Sequence, residues 1–218
     1  GRAENMIDRY NALLELRDYP AAEKWQLLTD IYNRETFHLT KSEIIHQIAT
    51  EWQRPGVEEL ILSAISDPDD KSYFNLEIAL ENLCNSFPEK YGAYLDMTAD
   101  ETGWRGRNIR MKWLEIAISR GGTAFIPELK NYTSSSYEFE TRIHAMHTLK
   151  KLNICDEQTA ANMLEGSFHW NRKIRVAARE TLRYFYRQIQ HQPAILMAIA
   201  MGDYSDRQLQ QMEKWLFE

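Results

Sequence analysis

Five arginines, Arg172, Arg175, Arg179, Arg183 and Arg187, recur in this 218-residue chain at intervals of three, four, four and four residues. On an α-helix that spacing sets the guanidinium groups along one face as a cationic stripe. Like charges so placed repel, so the stripe calls for something acidic opposite it. Two readings follow: salt bridges to carboxylates on neighbouring helices, or a docking face for an acidic peptide, a phosphate or a nucleic-acid backbone. Trp170, Tyr184 and Tyr186 lie beside the stripe, and aromatic neighbours suit either core packing or a binding hot spot. A second basic cluster, Arg105, Arg107, Arg110 and Lys112, opens an earlier helix, and Arg142 falls between the two. The candidate binding residues are therefore Arg110, Arg142, Trp170, Arg172, Arg175, Arg179, Arg183 and Arg187. If they form one ridge, reversing Arg179 and Arg183 to Glu abolishes partner binding and leaves the chain folded.

Other chemistry finds little support. The sequence contains no His-Glu-x-x-His, Gly-x-Ser-x-Gly, P-loop, Gly-x-Gly-x-x-Gly or Cys-x-x-Cys, and 9 glycines leave little material for phosphate-cradling loops. Glu140, His144 and His147 fall on one helical face with metal-ligand types, but packing of one histidine and solvation of the other is the stronger reading. Cys84 and Cys155 are too few and too far apart for a disulfide framework or a zinc site, and are read as reduced, partly buried thiols. No catalytic residue, cofactor or metal is expected.

The elements that must carry these residues are helical. Only two valines occur, Val57 and Val176, against abundant Leu, Ala, Glu, Lys, Arg and Gln, a balance that favours helix over strand through the χ1 freedom each type retains. Hydrophobic residues make up 44% of the chain, ample for a core. The net charge of −6 argues against a surface that binds polyanions everywhere, while leaving room for a local basic face. No apolar run approaches the length of a membrane span, the richest being 194–201.

Apolar periodicity and turn signals mark helices over 4–17, 21–33, 40–54, 57–66, 72–85, 88–97, 105–120, 123–132, 137–152, 156–168, 172–188, 193–201 and 205–217. Asp67-Pro68-Asp69-Asp70 reads as a solvated loop. Thr40 with Glu43, and Ser205 with Gln208, have the spacing of capping boxes. Gly121-Gly122 can supply a left-handed helix end.

The second helix of successive pairs repeats a small or apolar residue with partners three before and four after it. The sets are Leu76, Ala79, Leu83; Arg110, Trp113, Ala117; Arg142, Ala145, Leu149; and Arg175, Ala178, Leu182, a period of about 33 residues. With first helices such as Phe125-Ile126-Pro127-Glu128-Leu129 and Val57-Glu58-Glu59-Leu60, the pattern resembles HEAT repeats and the related armadillo-like helix pairs. That resemblance covers about 56–188, with Leu76 standing where the repeat Arg would be. It implies an all-α, right-handed α-α superhelix, a HEAT-like solenoid of five to six antiparallel helix pairs in one domain. Atypical cap helices would occupy 1–55, which carries Trp25 and Trp52, and 189–218, which carries Trp215, because terminal repeats must face water.

Such an array exposes long ridges, so the expected function is a non-enzymatic protein–protein interaction or scaffold module that takes a protein or acidic-peptide partner. The acidic balance disfavours the alternative of a nucleic-acid binder similar to HEAT-like DNA glycosylases. Asn108-Ile109-Arg110-x-Lys112-Trp113 resembles part of the helical C-terminal domains of metallopeptidases, which implies as a further alternative an accessory domain of such an enzyme. The chain opens Gly1-Arg2-Ala3, which suggests a fragment or a processed terminus, with an anchor or partner domain upstream as an expectation. No membrane insertion by this segment, and a cytoplasmic location, are expected.

Overall fold

The computed structural model describes residues 5–19, 24–48, 56–66, 77, 80, 81, 83, 84 and 103–217. Among these residues the chain is all-α, with eleven α-helices joined by turns, short 3-10 turns and a final π turn, and no strand. The helices expected over 72–85 and 88–97, the loop 67–70 and Trp52 lie wholly or mostly outside the described residues. The chain divides into two compact units, Gly1–Ile116 and Ala117–Glu218.

The first unit holds α1 (Met6–Glu15), α2 (Lys24–Arg34), α3 (His38–Ile48), α4 (Val57–Ser66) and most of α5 (Gly103–Ser119). Asn5 caps α1 by accepting from the Ile7 amide at 2.9 Å. Leu13 of α1, Leu28 and Tyr32 of α2, and Ile44, Ile45 and Ile48 of α3 are buried where α3 packs against both earlier helices. Two long-range ion pairs fix that packing. Arg9 reaches Glu35 at 2.9 Å and Arg17 reaches Glu43 at 2.6 Å, each through two guanidinium nitrogens. The expected Thr40–Glu43 capping box does not form, because α3 starts at His38, Thr40 is buried within it, and the Glu43 carboxylate is taken by Arg17 and Gln47. Glu35 instead accepts from the amides of Thr36 and Phe37, at 2.9 and 2.8 Å, just before the helix.

In the second unit, α5 ends in a pair of bonds typical of a left-handed stop. Gly121, at φ +94°, donates to Ile118 at 2.9 Å and Gly122 to Ala117 at 2.9 Å. A 3-10 turn, Thr123–Phe125, leads into α6 (Ile126–Asn131), so the single helix expected over 123–132 is split in two. There follow α7 (Phe139–Leu152), α8 (Glu157–Ser167), α9 (Arg172–Tyr186), α10 (Gln192–Met201) and α11 (Asp206–Met212), which runs on into the π turn Glu213–Phe217. Asn153 adopts a left-handed φ of +56° to end α7, Asp156 caps α8 through the Thr159 amide, and Ser205 with Gln208 forms the expected capping box on α11.

Helix α9 packs on α7 and α8, and α8 also packs on α10. Ala145 and Leu149 of α7, and Ala178 and Leu182 of α9, are all fully buried. A Cβ on Gly166 of α8 would stand 3.4 Å from the Ala178 Cβ and 3.3 Å from the Met146 methyl. Small residues, Gly166 and Ala178, thus let α8 and α9 approach closely.

Candidate functional site

Helix α9 is divided sharply along its length. Its inner face, Ile174, Ala177, Ala178, Thr181, Leu182 and Phe185, is buried, and its start is capped by Asn171, which accepts from the Lys173 amide at 2.8 Å. Its outer face is basic. Between 172 and 187 six residues are Lys or Arg and one, Glu180, is acidic. This segment spans about 22 Å at 1.5 Å of rise per residue.

The salt bridges that would neutralise the stripe do not form. Among the described residues none of Arg172, Arg175, Arg179, Arg183 and Arg187 pairs with a carboxylate. The three central arginines instead bond main-chain carbonyls. Arg175 Nη1 donates to His169 at 2.9 Å and Trp170 at 3.2 Å, Arg179 Nε donates to Ser167 at 3.1 Å, and Arg183 Nε donates to the Trp215 carbonyl. Ser167 ends α8 and Trp215 lies in the π turn, so Arg179 and Arg183 satisfy carbonyls that helix ends leave without intrahelical donors, while the acceptors of Arg175 lie in the connection between α8 and α9. Arg179 also lies over the Trp215 ring, 5.4 Å from its centroid.

Because the acceptors are neutral, the stripe keeps its charge. Partial burial, and then the adjacent Arg175 and Arg183 guanidinium groups, hold the Arg179 pKa below its ordinary value. Each central arginine also retains a two-donor edge. With Nε committed on Arg179 and Arg183, their Nη1 and Nη2 groups remain, and Arg175 keeps Nε and Nη2. Such edges match the two oxygens of a carboxylate or phosphate, and the carbonyl bonds hold them in place beforehand. Arg172 and Arg187 are exposed at the two ends, as is Lys173, which the intervals of the arginine series do not bring out.

The other candidate residues separate. Trp170 is 82% exposed immediately before α9, its ring 5.4 Å from that of His169, so it stands at the head of the stripe. Arg142 does not join it. Arg142 is 2% exposed, donates to the Thr133 carbonyl at 3.0 Å and the Asn162 carbonyl at 3.3 Å, and pairs with Glu165. Arg110 belongs to the first unit, where it is buried with its guanidinium 5.2 Å from the Trp113 ring centroid. The carbonyl acceptors had no signal in the sequence, since a main-chain oxygen is identical at every residue.

Among the described residues no group of three His, Cys, Asp or Glu side chains is placed to hold a metal ion, and no helix is long and apolar enough to cross a membrane. Neither Cys84 nor Cys155 is in a disulfide, and burial, with Asp156 beside it, pushes the Cys155 thiol up to about 12, away from thiolate chemistry. The first unit holds a charged cluster that the sequence reading passed over. Lys112 Nζ lies 2.6 Å from Glu81 and 3.5 Å from Glu115, and burial pushes the Glu77 carboxyl up to about 7 against the pull of Lys112 and with the help of Glu115.

The charge of the chain is unevenly divided. Residues 1–116 carry 13 Lys and Arg against 21 Asp and Glu, and residues 117–218 carry 13 against 11, so the net −6 separates into −8 and +2. No protein-family model matches the chain, and comparison with curated proteins and with solved structures gives no match.

Proposed function

We propose that this protein is a non-enzymatic protein-interaction module in which the outer face of α9 receives an acidic segment of a partner protein. The observation that carries this reading is that, among the described residues, no carboxylate pairs with the five-arginine stripe, whose central members are anchored on neutral carbonyls with donor edges left over. Taking three like charges to one face and holding them there raises electrostatic energy, and an acidic ligand relieves it. Trp170 supplies an exposed aromatic anchor at one end. The helix pairs stack in this proposal as a HEAT-like superhelix, a reading supported by the shared burial of Ala145 with Leu149 and of Ala178 with Leu182 at equivalent positions.

The same donor edges fit phosphates, so the decisive test compares the two kinds of polyanion. Fluorescence anisotropy titrations would use a labelled polyglutamate peptide and labelled single- and double-stranded DNA of matched charge, at low and high salt. The proposal expects polyglutamate to bind more tightly than either DNA, with affinity that falls as salt rises. No polyglutamate binding at low salt, or tighter binding of DNA, refutes it.

A further inference from the structure

A second surface of the 117–218 unit has the opposite electrostatic character. Between α10 and the last helical stretch lies an open cavity of about 410 Å³, floored by Ile199, Leu209, Met212 and Phe217 and bordered by Asp206 and Glu213. Its volume falls within the usual range for binding pockets, as does its apolar floor with a few polar groups. Asp206, Leu209 and Glu213 succeed one another at intervals of three and four residues, and Phe217 follows at the end of the π turn, so one side of this helical stretch lines the cavity. That makes it a groove along a helix. The two carboxylates stand two turns apart on the groove, about 10 Å along the axis. Neither has an ion-pair partner among the described residues.

We infer that this groove binds a basic amphipathic helix of a partner protein, with apolar side chains seated on Leu209, Met212 and Phe217 and Lys or Arg two turns apart facing Asp206 and Glu213. An apolar floor alone would accept any greasy segment. The carboxylate border selects the charge, since an acidic helix would bring like charges together and a neutral one would leave both carboxylates partly desolvated and unpaired. Leu209 and Phe217 are both more than a third exposed in the chain alone, so covering them adds hydrophobic stabilisation that the fold does not already have. Met212, 2% exposed, closes the floor beneath them. This site shares no lining residue with the α9 stripe and is opposite to it in charge, and although the π turn that carries Phe217 also offers Trp215 to Arg179 and Arg183, its test uses variants and a probe of its own.

The probe is a helix-forming peptide with leucines on one face and lysines on the other, titrated by calorimetry. It is compared with a shuffled peptide of the same composition and with an analogue carrying Glu for Lys. The amphipathic Leu/Lys peptide is expected to bind, and the shuffled and Leu/Glu peptides to bind at least tenfold more weakly. Glu213→Lys and Leu209→Gln, both at exposed positions, are each expected to weaken the Leu/Lys peptide by about tenfold or more, with circular dichroism and melting temperature near wild type. Equal affinity for the shuffled peptide, or unchanged affinity in both variants, overturns the inference. If a variant loses its fold, competition for the wild-type protein between the Leu/Lys and Leu/Glu peptides still decides it.

Discussion

Arg179 donates through Nε to the carbonyl of Ser167, 3.1 Å away, at the residue where α8 ends. The bond joins two helices, answers one of the carbonyls that a helix end exposes, and brings no negative charge with it. In the middle of a row of arginines, that choice of acceptor separates a neutralised structural stripe from one that still attracts anions.

The arginines of the row therefore differ in what they hold. Arg179→Ala loses the Ser167 bond and the Trp215 face, and is expected to cost about 1–2 kcal/mol. Arg172→Ala removes an exposed side chain with no such bond and should stay within about 0.5 kcal/mol of wild type. Urea unfolding midpoints of the two variants check this. It also revises the expectation that Arg179 and Arg183 can be reversed to Glu without structural cost, because each carries a bond to another element.

If the spare guanidinium edges recognise carboxylates in two-point fashion, lysine cannot replace them. Arg175→Lys, Arg179→Lys and Arg183→Lys combined keep the charge but lose the fork. Polyglutamate affinity is expected to fall about tenfold, or about 1.4 kcal/mol, with the salt dependence little changed. Unaltered affinity would reduce the stripe to simple charge attraction.

Arg142 belongs to the fold. Its side chain is 3% exposed and it holds two carbonyls and Glu165. Arg142→Met leaves those acceptors behind and is expected to destabilise the chain by about 3 kcal/mol, read from chemical denaturation, while the remaining folded protein binds polyglutamate as wild type does.

Glu77 gives the first unit a pH signature. Its pKa rises from 4.5 to about 7 on folding, so its neutral form is favoured in the native state. The resulting contribution, about 3 kcal/mol by linkage, is fully present below the unfolded value and is lost as pH rises through about 7. Glu77→Gln should flatten that decline. Melting temperatures across pH 5 to 8 that fall equally in both proteins would place its cause elsewhere.

Much of the helical architecture was legible because it is written locally. Ala178 and Leu182 sit on one face of α9 by periodicity alone, Ser205 and Gln208 cap a helix within a single turn, and Gly121 ends one by its own backbone freedom. What was illegible depends on partners far away in sequence. Thr40 and Glu43 have capping-box spacing, yet Glu43 is claimed by Arg17, 26 residues earlier, which outweighs a local bond. Arg142 and Arg175 are equivalent in the repeat, but only Arg142 meets a carboxylate and is buried, a difference set by Glu165 on the next helix. The stripe was visible as spacing, whereas its uncompensated charge required knowing that its acceptors are carbonyls.

Arg172 and Arg187 offer the most direct test, since both are exposed and neither holds another element in place. Polyglutamate affinity should be measured for Arg172→Glu combined with Arg187→Glu, beside the same reversal at the exposed Arg34 and Arg207 as a control for net charge. The account predicts at least a tenfold loss for the first pair, a much smaller change for the second, and unaltered melting curves for both. Equal losses from the two pairs, or none from the first, would contradict it.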